Sequence, residues 1–220
     1  MEPALLSPAT YKFFHIPVAL FAVLIPLVGT AVFALIMKRR IDPMLKAAPD
    51  YRADRIAARI LKVLKIWLIQ WRQPRYMMAG VLHIVIFAGF MILSVRSTTL
   101  VFQGFWEGFT LPGFGGAAGH VYAVLKDYAA TAVLVACGVA AVRRGIFKPD
   151  RYAVPPRYGK DHTGEAVFVL ALIATLMISE SLFEASLASA QIQQLKPAEF
   201  LAPGSLAWIF RNMLLDVPMA

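Results

Sequence analysis

Apolar positions along the chain gather into four long runs, at about 16–37, 76–95, 118–142 and 166–187, separated by charged or glycine-rich stretches. Each approaches or exceeds the roughly 20 residues with which an α-helix crosses about 30 Å of hydrocarbon. The pattern predicts an all-α protein: a polytopic transmembrane helical bundle of four clear spans forming a single membrane domain over residues 1–220. Residues 205–215 are apolar but too short to cross, with Arg211 among them and Asp216 beyond. They predict a short helix at the outer interface, leading into an incomplete fifth span. Between the first two spans, "YRADRIAARILKVLKIWLIQWRQPRY" places Ile56, Ile60, Val63, Leu64 and Trp67 at helical spacing, with Arg55, Arg59, Lys62 and Lys65 over much of the remaining surface. That is an amphipathic helix at about 52–72, lying on the membrane with Trp67 and Trp71 at headgroup depth. Packing against a soluble partner explains the same pattern, and the two are compatible. The segment "FQGFWEGFTLPGFGGAAG" predicts an irregular cover rich in glycine and aromatic rings.

Composition supports the membrane class: 59% of residues are hydrophobic and 16% charged, against about a quarter charged in soluble domains. The net charge of +9 invites a nucleic-acid reading, but the placement of the basic residues argues against it. Residues 38–76 hold eleven Lys and Arg and residues 143–160 hold six, seventeen of the 22 in the chain. Positive loops stay on the cytoplasmic side, so both basic loops face inward and the N-terminus outward. The start, "MEPALLSPATYKFFHIP", lacks the basic stretch and adjoining apolar core of a cleavable signal peptide. Cys137 is the single cysteine. It cannot form an internal disulfide, and iron–sulfur clusters usually take four thiolates, so no such cluster is expected in this chain.

Ionisable groups inside spans are candidates for function. His83 lies about two turns into the second span, roughly 10 Å deep at 1.5 Å per residue. Its helical face reads Tyr76, Ala79, Gly80, His83, Phe87 and Phe90: small residues one turn before the imidazole and rings after it. A haem needs an axial imidazole, close backbone approach and apolar walls, and this face offers all three. A structural histidine bonded to a neighbouring helix is the competing reading. His120 opens the third span with Asp127 seven residues on, along the same face. Lys126, next in sequence to Asp127, is expected to point elsewhere and snorkel outward. His15 lies at a depth similar to His120, and the two either sandwich a second iron or sit among headgroups. Glu180 and Glu184, one turn apart, suit proton exchange with a reduced quinone. Satisfaction by Lys126, Arg96 or water explains them equally. His162 is expected to be solvated or to cap a helix.

The order "RYMMAGVLHIVIFAGFMIL", "VLKDYAATAVLVACGVAAVRRGIFKPDRY", "ALIATLMISESLFEASLASA" resembles the membrane domain of heterodisulfide-reductase-like iron–sulfur oxidoreductases, a domain similar to the cytochrome b (gamma) subunit of respiratory nitrate reductase. The resemblance covers about residues 10–200. It implies that His83 ligates haem b, with one or two haems in all, and that Asp127 and Glu184 stand where the family carries acidic residues. It further implies a fifth span with more histidines and a cytoplasmic cluster domain, both absent from this sequence, so that another subunit completes the chain or the chain is a fragment or a divergent member. The usual ligand opposite His83 is missing.

On this resemblance the expected function is electron transfer through b-type haem. The expected partners are a cytoplasmic iron–sulfur protein or electron-transfer flavoprotein, other membrane subunits, lipid, and menaquinone or another quinone. The expected place is the inner membrane of a bacterium or archaeon. A cofactor-free membrane anchor is the alternative, and a proton or ion channel built on Asp127, Glu180 and Glu184 is a third.

Overall fold

The computed structural model describes residues 12–48, 54–106, 108–149, 159 and 162–217. The parts of the amphipathic stretch before residue 54, and most of the basic loop 150–161, lie outside the described residues. A two-residue hairpin, β1 (Lys12–Phe13) with β2 (Ile16–Pro17), precedes the helices α1 (Val18–Leu45), α2 (Ile56–Val63), α3 (Met77–Gln103), α4 (Gly116–Val142), α5 (Thr163–Gln193) and α6 (Leu206–Leu214). The architecture is helical, and α1, α3, α4 and α5 are each long and apolar enough to cross a membrane. This is a multi-pass membrane protein.

The four long helices outlast their apolar runs. α1 continues through Lys38, Arg39 and Arg40 to Leu45, and α3 runs seven residues past Arg96. A charge ends the part of a helix that suits hydrocarbon without ending its hydrogen bonding, so span and helix boundaries differ. α2 and α4 both end in a π-helical turn, Leu64–Leu68 and Arg143–Phe147. Between α3 and α4 the loop is irregular as expected, with Phe109 stacked near Phe102 and Trp106 at 4.9 and 5.4 Å between ring centroids.

The chain forms two compact units, Met1–Ile69 with Ser97–Leu111, and Gln70–Arg96 with Pro112–Ala220. In the first, α1 buries no residue within the protein, as befits an apolar cylinder surrounded by lipid. An added Cβ at Gly104 would meet the Ala22 Cβ at 2.4 Å, so the end of α3 crosses α1 at backbone range. In the second, Leu93, Ala129, Ala130, Val133, Cys137 and Met177 form the core. The buried positions of α5 (Met177, Ser181, Glu184, Ala185, Ala188 and Ser189) fall on one face and are mostly small. Helices in lipid gain nothing from hiding apolar surface, so close packing over small residues holds them together. Gly89 of α3 belongs to that packing: a Cβ there would lie 2.1 Å from Val133 Cγ2.

The segment after α5 departs from the expected interfacial helix. Residues 195–205 turn back along α4 and α5, and α6 then runs outward again. Its start is fixed by Leu206 N–H donating to Thr131 Oγ1 (3.0 Å), about 22 Å along α4 from Gly116. Its far end is fixed by Gln193 donating to the Val217 carbonyl (2.8 Å) and by Ser189 donating to that of Arg211 (3.3 Å). The nine residues of α6 span about 13 Å, too short to cross a membrane, and the helix begins beside the middle of α4. Non-helical backbone at such depth must find partners in protein. Here Asp127 Oδ2 accepts from Ala202 N–H (2.7 Å), Tyr128 donates to the Pro203 carbonyl (2.9 Å) and Ser205 Oγ accepts from Trp208 N–H (3.2 Å). Leu201, Ala202 and Ser205 are buried.

Candidate functional site

Three carboxylates and two cations meet in the second unit, where α3, α4 and α5 converge. Arg96 Nη2 lies 3.2 Å from Glu184 Oε1, and its Nε lies 3.6 Å from Glu180 Oε1. Lys126 Nζ donates to the same Glu184 oxygen and lies 3.4 Å from Asp127 Oδ1. The helical register explains the convergence: Glu180 and Glu184 are one turn apart on α5, and Lys126 and Asp127 open the buried face of α4. Each of these charges alone at this depth costs about 2.5–3.5 kcal/mol even on the more lenient scales. Mutual pairing offsets that cost, and removing one member exposes it again.

This geometry corrects the expectation for Lys126. Its stem does not carry the ammonium outward; Lys126 is buried, and its flexible four-carbon chain reaches sideways to Glu184 across the helix interface. The contacts support the reading in which Arg96 and Lys126 satisfy Glu184, whereas Glu180 only approaches Arg96 at 3.6 Å. Asp127 is also occupied. One oxygen faces Lys126, and the other holds the Ala202 amide of the returning segment, so its observed contacts are architectural. Arg96 was legible as the end of a span and as one of several candidate partners of the two glutamates. The signal that it belongs to the site is that α3 continues beyond it, which keeps its side chain beside α5.

His83 lies at the other polar place. It lines a groove of about 380 Å³ between α3, α4 and α5, with Ala79, Ala140 and Ala166 as small walls and Arg143 and Arg144 at the basic end. His83 itself is exposed to this opening. Of the rest of the expected face, only Ala79 contributes. Gly80 leaves no room for a ring, because an added Cβ would sit 1.9 Å from the Gln73 carbonyl oxygen. The missing side chain there admits the turn before α3. Gly80, Tyr76, Phe87 and Phe90 are not among the lining residues; Ala140 and Ala166 supply the close approach instead. One imidazole and two arginines are the polar side chains that border this apolar groove. His83 is the only imidazole lining the groove, which also lacks a methionine or cysteine, and no cluster of three metal-ligating side chains occurs among the described residues.

The other histidines are not among the residues that line the groove. His120 packs against Phe200, with ring centroids 4.4 Å apart. It therefore meets the returning segment two residues from where Asp127 holds it, in keeping with the shared face expected from their spacing. His15 sits in the hairpin turn of the first unit with φ of 68° and is exposed. His162 precedes α5 and is exposed, its Nδ1 3.0 Å from Glu165 Oε2, and its side chain makes no capping bond to the helix backbone. No family model, curated protein or solved structure matches the chain.

Proposed function

We propose that this chain is the membrane subunit of a quinone-linked redox complex, exchanging electrons through a b-type haem between a cytoplasmic iron–sulfur or flavoprotein partner and the quinone pool of a bacterial or archaeal inner membrane. One observation carries the reading: an imidazole opens into an apolar groove whose basic end bears two arginines. His83 would be the axial ligand, the three alanines would leave space for the ring, and Arg143 and Arg144 would neutralise its carboxylates. The bound group would supply one-electron chemistry that no side chain here provides. The exposed basic surface of α2, with Arg59 paired to Asp54 at 2.6 Å, supports docking of an acidic partner through a salt-sensitive field.

The test is a reduced-minus-oxidised spectrum of the purified protein, with the haem-stained content of His83→Ala beside it. The reading expects a b-type α-band that His83→Ala removes while the yield of folded protein holds. A protein purified without the band, from cells able to make haem, would sink it. A cofactor-free anchor for a redox complex is the second reading, favoured because the groove offers one imidazole where this class of site commonly has two. That reading expects no band and an intact complex in His83→Ala.

A further inference from the structure

The ion cluster is unevenly charged. Arg96 and Lys126 face Asp127, Glu180 and Glu184, so the fully ionised set carries one surplus negative charge. Apolar surroundings penalise an uncompensated charge far more than a neutral carboxylic acid. The contacts separate the three candidates for an extra proton. Asp127 accepts the Ala202 N–H on one oxygen and faces Lys126 with the other, and its side chain is 1% exposed. Glu184 offers one oxygen to both cations, and its side chain is 4% exposed. Glu180 Oε1 is buried and accepts no hydrogen bond, and the Arg96 Nε facing it donates none. Their 3.6 Å separation is too long for one. Tyr122, on the neighbouring turn of α4, donates to the Ile92 carbonyl instead (3.1 Å).

We propose that Glu180 is a proton-exchange site: it carries one proton as a neutral carboxylic acid beside the Arg96–Glu184 pair, while Asp127 and Glu184 remain carboxylates. Its side chain is 13% exposed, against 1% and 4% for Asp127 and Glu184, so an exchanged proton would take its route on that side. When the O–H bond breaks, the proton leaves by that route and the electron pair stays on Glu180. The new carboxylate then competes with Glu184 for the single guanidinium of Arg96. The site is a property of the protein alone and holds with or without a haem at His83, so failure of either proposal leaves the other standing.

The experiment is infrared spectroscopy of the full chain in nanodiscs at neutral pH, in H2O and D2O. A protonated carboxyl shows a carbonyl stretch, separate from carboxylate bands, that shifts on deuteration. We expect that band in the wild type, its loss in Glu180→Gln, and its weakening in Glu184→Gln and Asp127→Asn, which remove the surplus charge that holds the proton. A wild type without the band, or a band that survives Glu180→Gln, overturns the proposal. Thermal unfolding gives a second readout. Glu180→Gln mimics the neutral acid and should unfold no earlier than the wild type, whereas Glu184→Gln should unfold earlier. An early-unfolding Glu180→Gln would mean that the group is an essential carboxylate.

Discussion

The ion cluster and the His83 groove are built on the same three helices, α3, α4 and α5, yet they treat polarity in opposite ways. In the cluster the charges lie behind helix interfaces, and most of their hydrogen bonds end on one another or on the returning segment. In the groove an imidazole and two guanidiniums border an open apolar slot. Closure of the first makes its members parts of the architecture. Openness of the second leaves His83 facing a slot rather than a neighbouring helix. A polar group inside a membrane protein is thus a poor guide to function until its surroundings are known; what separates the two places is whether the group faces a helix interface or an open slot.

The comparison breaks most readily at Lys126. Lys126→Ala leaves Glu184 and Asp127 short of their shared cation and should destabilise the second unit by about 3–5 kcal/mol, seen as loss of monodisperse protein in mild detergent. A fully stable variant would show that the cluster is not structural. Asp127→Ala strands the Ala202 amide at depth and should cost about 1–3 kcal/mol. The local sign is new protease cleavage within residues 196–205, with α4 and α5 still protected. At the other extreme, His83→Ala should change thermal stability by no more than about 0.5 kcal/mol, the scale of an exposed substitution. A large loss there, measured without added haem, would place His83 in the architecture too.

Much of the fold was legible because period and length are local signals. The four runs of apolar residues became α1, α3, α4 and α5, and the 205–215 stretch became α6 within a residue at either end. What stayed hidden depended on which faces meet. Lys126 and Asp127 are neighbours that a helix turns about 100° apart, and only the packing of α4 on α5 lets the lysine stem bridge them. The depth of α6 was hidden because "LKPAEFLAPGS" reads as an ordinary surface connection. Its backbone partners, Asp127, Tyr128 and Thr131, lie some 75 residues earlier. Gly80 was misread for a related reason: sequence marks a place without a side chain but not what fills it.

The returning segment also constrains how the protein assembles. A nine-residue helix is too short to be stable alone, and an extended stretch with bare amides cannot enter hydrocarbon unaided. Asp127, Tyr128 and Thr131 of α4, with Ser189 and Gln193 of α5, must already stand side by side before residues 195–217 can settle against them. Insertion of the long helices can proceed one by one, each on its own hydropathy. Docking of this segment cannot; it reports that two neighbours have found each other, and in that sense acts as the molecule's own proof of correct assembly.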